Sequence, residues 1–305
     1  MSGKVFHPGS TALITGGGSG IGFAVAQLCR THGMNLILVD IHAENLAKAH
    51  AVLGDTPAAK TMTHVMDVSE LSSWEYLRDN IANQFSSGVD LLMLNAGASF
   101  QAKNPSYPWG DLLYFQKTFA TNLKGVLYGI NTFLPSITSA SHAPKAIVLT
   151  GSKQGITNPP GGDNPAYNAS KAALKSIAEH LAHDLHSNKN AHVHLLVPGW
   201  TFTGITGTSG PIEDNAAALA SKPKGAWLPS QVAQYMYEKM THGKFYIICP
   251  DNEVKEHLDK ARMSWGVGDI TEERPPLSRW NEEWKEKANE WINQEVERRK
   301  VNNLP

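Results

Sequence analysis

Seven short apolar runs, rich in Val, Ile and Leu, punctuate the chain at nearly regular intervals. They are Thr11–Thr15, Asn35–Asp40, Thr61–Asp67, Val89–Asn95, Ala146–Gly151, His192–Pro198 and Lys244–Cys249. Continuous apolar runs of this length suit strands buried on both faces, as in a parallel sheet. Between them lie helical patterns: Ile21–His32, Ala43–Leu53, Leu71–Phe85, Asp111–Ile137, Ala166–His186 and Pro229–His242. Strand and helix in alternation predict an α/β fold, a doubly wound Rossmann-type sheet of about seven parallel strands flanked by helices. In such a sheet the ligand crevice lies at the carboxyl ends of the strands.

Composition bounds the function. The chain has 305 residues, a formal net charge of −1 and 41% hydrophobic residues. That balance argues for a globular protein and against a nucleic-acid binder. Two cysteines, Cys29 and Cys249, make neither a disulfide framework nor a cysteine-rich zinc site. Met1–Ser10 lacks the apolar segment of a secretory signal, and no apolar run is long enough to span a bilayer. The expectation is a cytoplasmic protein without membrane or nucleic-acid partners. The character changes near Asp251: charged side chains crowd the stretch that follows, and four of the eight tryptophans lie there. Residues 1–250 therefore read as one catalytic domain and 251–305 as a helical extension, packed on that domain or on a neighbouring subunit. Within it, Ser278 is placed to cap a helix starting near Arg279, with Trp280, Trp284, Ala288, Trp291 and Ile292 as its apolar stripe.

The first strand runs into Thr15-Gly16-Gly17-Gly18-Ser19-Gly20-Ile21-Gly22, which opens a helix. A diphosphate needs bare backbone N–H groups and a helix N-terminus, and glycine supplies both the access and the turn. Asp40 ends the second strand, one helix and one strand beyond the glycine turn. An acid there accepts hydrogen bonds from a ribose 2′-hydroxyl and repels a 2′-phosphate; Ile41 and His42, rather than Lys or Arg, follow it. This favours NAD over NADP. The competing reading is an Asp that caps the next helix. Tyr167 and Lys171 stand four apart at the start of a helix, on one face. A neighbouring ammonium favours the phenolate, which makes the pair a proton shuttle for an alcohol or carbonyl oxygen. Ser152 follows the fifth strand, where its hydroxyl can meet that oxygen.

With these residues the chain resembles the short-chain dehydrogenases/reductases, in their shorter, single-domain branch. The resemblance covers roughly positions 8–250. It rests on Thr15–Gly22, Asp67-Val68, Asn95-Ala96-Gly97, Thr121-Asn122-Leu123, Ser152, Tyr167-x-x-x-Lys171 and Pro198-Gly199-x-x-x-Thr203, in that order. It implies an oxidoreductase that interconverts a secondary alcohol and a ketone or aldehyde by hydride transfer with NAD, NADP being less expected. Tyr167 would be the general acid/base, Lys171 its partner and the holder of the nicotinamide ribose, Ser152 the orienter of the substrate oxygen. Asn122 would support a proton-relay water. Gly16, Gly18, Ser19, Gly20, Ile21 and Gly22 would hold the diphosphate, and Asp40 the ribose. Asp67 and Val68 would flank the adenine, and Asn95, Ala96 and Gly97 the adenosine ribose. Pro198 and Gly199 would wall the nicotinamide, with Thr201 or Thr203 near its carboxamide or the diphosphate. Rival functions are a non-redox dehydratase or isomerase on the same fold, and a cofactor-binding regulator without turnover. A homodimer or homotetramer is expected, because relatives pair the helices that correspond to Asp111–Ile137 and Ala166–His186.

The chain departs from the family pattern on the substrate side. Lys153-Gln154 follow the serine, and Lys153–Ala166 is slightly long and holds Pro159-Pro160-Gly161-Gly162. The long Thr201–Pro229 connection reads as a lid. Phe202, Ile205, Ile212 and Trp227 are its candidate apolar wall, with Phe100 and Trp109 opposite. His180, His183 and His186 read as an exposed helix face rather than a metal site, and His192 and His194 as one face of a strand.

Overall fold

The computed structural model describes residues 2–85, 88–139, 143–161, 164–204, 210–213 and 215–302. Gly162 and Ile205, singled out above, lie outside the described residues. The strands are β1 (Thr11–Thr15), β2 (Asn35–Asp40), β3 (Thr61–Val65), β4 (Leu91–Leu94), β5 (Lys145–Thr150), β6 (Ala191–Val197) and β7 (Tyr246–Ile248). They form one sheet in the order β3-β2-β1-β4-β5-β6-β7, every neighbour parallel. The chain order reverses between β1 and β4, which places the crevice there.

The helices are α1 (Gly20–Thr31), α2 (Ala43–Leu53), α3 (Leu71–Gln84), α4 (Leu112–Phe119), α5 (Gly125–Thr138), α6 (Gln154–Thr157), α7 (Pro165–Asp184), α8 (Ala216–Ser221), α9 (Pro229–Thr241), α10 (Glu256–Thr271) and α11 (Lys285–Val301). Side chains alternate across each strand, so the sheet feeds two cores. Ile14, Leu36, Leu38, Met93 and Val148 face one side, against Phe23 and Val25 of α1, Leu46 of α2, and Val232 and Met236 of α9. Leu13, Ile37, Val39, Leu92 and Ile147 face the other, against Trp74 and Leu77 of α3, Phe133 of α5 and Leu174 of α7. Among the described residues no helix is long and apolar enough to cross a membrane.

The structure revises three local expectations. The run Asp111–Ile137 is not one helix: a π-helical turn, Ala120–Lys124, separates α4 from α5. Ser278 caps no long helix. It is buried in a short 3₁₀ turn, where its hydroxyl accepts from Trp265 Nε1 at 2.8 Å and donates to Asp269 Oδ1 at 2.5 Å. The final helix begins only at Lys285, so Trp280 falls off the stripe. The reason is α10, whose apolar positions Leu258, Ala261 and Trp265 were not read as a helix. It takes Trp284, Ala288, Trp291 and Ile292 of the tail into a separate small core. The stripe is thus covered by the extension itself. His180, His183 and His186 are exposed, and the described residues hold no cluster of three or more potential metal ligands.

Trp74 is fully buried between α3 and α5, and its indole N–H donates to the Val68 carbonyl at 2.8 Å. Trp74→Ala should cost about 3–5 kcal/mol, read from chemical denaturation. A loss under about 1 kcal/mol, the scale of an ordinary surface substitution, would contradict this packing.

Candidate active site

The residues singled out above converge on one edge of the sheet because each follows the carboxyl end of a strand. The glycine turn follows β1, Asp67 follows β3, Asn95 β4, Ser152 β5 and Pro198 β6. Gly22 sits so tightly under the turn that a Cβ there would lie 2.2 Å from the Gly16 carbonyl oxygen. Gly20, at φ 52°, opens α1, and a Cβ on it would lie 3.2 Å from the Thr203 side chain. Ser19 is the N-cap of α1, but its side chain makes no capping bond. The first N–H groups of α1 therefore face a cradle stripped of side chains, a fit for a diphosphate. Ile21, partly buried, packs against the core beneath them.

Asp40 is buried, its Oδ2 accepting from Gly18 N–H at 3.1 Å and its Oδ1 from His42 N–H at 3.0 Å. It braces the glycine turn and also the chain that enters α2, whose N-cap residue is His42. Each oxygen keeps a further lone pair for a ribose hydroxyl. Asp67 is exposed, whereas Val68 is buried against the start of α5. Asn95 donates to the Thr15 carbonyl at 3.0 Å and accepts from the Thr150 hydroxyl at 3.1 Å. Its backbone N–H and that of Ala96 share the Thr15 hydroxyl, at 2.9 and 3.0 Å. Gly97 leaves room for Asn122 and Lys171: a Cβ would lie 3.3 Å from Asn122 Oδ1 and 3.4 Å from Lys171 Nζ.

Asn122 lies in the π-turn, fully buried. Its amide accepts from Ala98 N–H at 2.8 Å and donates to the Ala98 carbonyl at 2.9 Å. Turns of this kind interrupt helices mostly at functional sites, and no side-chain pattern announced this one. Lys171 is buried on α7 and donates to the Thr150 carbonyl at 2.8 Å, with its Nζ 5.8 Å from the Tyr167 ring centre. Burial lowers its pKa to about 8. Burial also holds the Tyr167 phenol above its ordinary value, outweighing a hydrogen bond with Ser152 that acts to lower it. The lowering expected from Lys171 is therefore not the net direction; desolvation dominates both groups.

Pro198 and Gly199 stand beside Ser152's neighbour Lys153: a Cβ on Gly199 would lie 2.7 Å from Lys153 Nζ. Thr201 is buried and turns its hydroxyl back to the Gly199 carbonyl at 3.0 Å, whereas Thr203 sits over Gly20. Of the proposed apolar wall, Trp227 is edge-on to Tyr235 and packs against the core instead. Trp109 is 69% exposed and stacks on Phe115, while Phe100 packs against the small cluster of Ala102, Tyr114 and Ala166. Two contributors escaped the sequence reading. Trp200, 41% exposed, follows Gly199 directly. The buried Tyr114 accepts from Ala166 N–H at 3.1 Å, fixing the residue before Tyr167.

A parallel doubly wound sheet with a glycine-lined helix N-terminus defines a Rossmann-type protein. The sequence model of the short chain dehydrogenase family matches residues 10–213. The oxidoreductase asL5 of Sarocladium schorii is 33% identical over 199 residues, 65% of this chain and 74% of that protein. A short chain dehydrogenase/reductase of Burkholderia phymatum, solved with NAD, shares the fold at a TM-score of 0.74 and 28% identity, covering 89% of this chain and 97% of its own. An alcohol dehydrogenase of Thermococcus sibiricus, solved with 5-hydroxy-NADP, has a TM-score of 0.62 at 24% identity, covering 76% and 90%. The chain belongs to the short-chain dehydrogenase/reductase family and is an oxidoreductase of that family, whose members use nicotinamide cofactors.

Two outcomes test this geometry. Gly22→Ala should lower thermal stability and abolish dinucleotide binding, because its Cβ meets backbone; NADH binding at parental affinity would refute the close fit. The ordinary lysine value is 10.5, so between about 8 and 10.5 an unfolded chain keeps a proton that folded Lys171 has released. Stability then rises with pH across that window. Lys171→Met should flatten the rise in urea denaturation midpoints; an unchanged slope would show that Lys171 is not the group responsible.

Proposed function

We propose that the protein is an NAD-dependent oxidoreductase that interconverts a secondary alcohol and a ketone or aldehyde. One observation carries this reading: the Lys171 ammonium, anchored on the Thr150 carbonyl at the end of β5 at 2.8 Å, lies 5.8 Å from the Tyr167 ring centre, with Ser152 following the same strand. The cradle of Gly16, Gly20 and Gly22 fits a dinucleotide diphosphate, and Asp40 favours NAD over a 2′-phosphorylated cofactor. The Burkholderia phymatum relative was solved with NAD.

When bound, the dinucleotide supplies the hydride donor or acceptor. Ser152 directs the substrate oxygen, and the Tyr167 phenol gives a proton to that oxygen during reduction or removes it during oxidation. Lys171 stabilises charge that develops on the phenol. Its own position is held by the Thr150 carbonyl, and Asn122 ties the loop after β4 to the π-turn behind it. Residues 1–250 form the catalytic part in this reading, and 251–305 an extension that borders its substrate side. Exposed Trp109, Leu112, Leu113 and Leu127 on and before α4 and α5 support a homo-oligomer formed through these helices.

Tyr167→Phe should abolish turnover across a panel of secondary alcohols and ketones while NADH affinity, followed by fluorescence, changes less than about threefold. Unchanged turnover would sink the mechanism. NADPH binding tenfold tighter than NADH, about 1.4 kcal/mol, would overturn the assignment of Asp40.

A further inference from the structure

The C-terminal extension reaches the substrate side through one lysine. Lys153, next to Ser152, is 15% exposed and forms ion pairs with Asp251 Oδ2 at 3.3 Å and with Asp259 Oδ2 of α10 at 2.5 Å. The Trp200 N–H donates to the same Asp251 oxygen at 3.2 Å. The first turns of α10 are thereby fastened beside Ser152, Gly199 and Trp200.

Arg262 stands at the i+3 position from Asp259 and is therefore its neighbour on the helix face. Arg279 comes in on the 3₁₀ turn, its guanidinium 4.9 Å from the Trp280 ring centre. Ser278 ties that turn to α10 by its hydrogen bonds with Trp265 and Asp269, and Asp259 attracts both arginines while Arg262 repels Arg279. Both arginines are partly buried. Among the described residues, neither has a carboxylate within ion-pair distance or a hydrogen-bond acceptor.

This is not a shortage of acids. Residues 251–305 contain 13 acidic side chains against 10 basic ones. The other three arginines of the extension are all paired: Arg274 with Asp269, and Arg298 and Arg299 with Glu295. Asp259, the carboxylate that attracts both arginines, is already engaged by Lys153. Among the described residues three cations, Lys153, Arg262 and Arg279, therefore share the one carboxylate Asp259. Partial burial of two like charges is costly unless an anion completes the set. Guanidinium forks match the oxygens of carboxylates and phosphates.

We propose that Arg262 and Arg279 form an oxyanion-binding site at the substrate end of the crevice, so that the substrate carries a carboxylate or phosphate group besides its reacting oxygen. This deepens the oxidoreductase reading and rests on it for the identity of the ligand as substrate.

The test uses the full chain saturated with NADH and reads tryptophan fluorescence, to which Trp280 beneath Arg279 contributes. Titration with glutarate and, separately, with inorganic phosphate at constant ionic strength should give a saturable change for at least one. The arm that saturates at lower concentration distinguishes a carboxylate from a phosphate substrate. Arg262→Gln and Arg279→Gln should each weaken that binding at least tenfold, with circular dichroism and NADH affinity unchanged; Arg262→Lys and Arg279→Lys should keep part of it. No saturable change in the parent, or equal affinity in the Gln variants, would overturn the proposal. Tyr167→Phe should bind the anion as the parent does. Loss of the catalytic reading, seen as turnover in that variant, is therefore distinct from loss of the anion site.

Discussion

The hydrogen bonds of Asn95 hold the carboxyl ends of three strands together. Its amide joins the Thr15 carbonyl of β1 to the Thr150 hydroxyl of β5, and its backbone extends β4 onto the Thr15 hydroxyl. Each bond contributes about 1 kcal/mol, but their larger effect is positional. The glycine turn leaves β1 at Thr15, Ser152 leaves β5 just after Thr150, and the Thr150 carbonyl anchors Lys171. A cradle for a diphosphate and a Tyr–Lys pair are thus built off one rigid seam at the point where the sheet reverses its winding.

Desolvation then sets the electrostatics of the site. It lowers Lys171 and raises Tyr167, so each is drawn toward its neutral form. A hydrogen bond from Ser152 opposes this at the phenol. The arrangement places a neutral phenol beside a lysine that burial has made easier to discharge. The extension adds a second layer of charge. Lys153 pairs with both Asp251 and Asp259, and Arg262 and Arg279 have no ion-pair partner among the described residues.

The fold was legible wherever local pattern and tertiary demand agreed. All seven strands appear, and so do the six helical stretches read between positions 1 and 250, one of them split by the π-turn. Their ends shift by no more than a few positions; the central strands are buried on both faces as their apolar runs require, whereas the edge strands β3 and β7 expose alternate residues. Failure came where a local signal was overridden. Ser278 has the chemistry of a cap, but Asp269 and Trp265 claim its hydroxyl. Trp280 continues the spacing of a stripe, yet the chain there is a 3₁₀ turn. The π-turn at Asn122 has no spacing of its own, and Trp227 is apolar enough for a pocket wall or a core.

By itself the sequence determined the order of strands and helices, the glycine turn and the residue types that meet at the site, since periodicity and glycine's missing side chain are local properties. Only the tertiary structure decided the direction of the Tyr167 pKa, the partners of Lys153 and the absence, among the described residues, of an ion-pair partner for Arg262 and Arg279. Burial and ion pairing join segments far apart in the chain, as Lys153 and Asp259 show, and no spacing along it records which charges will meet.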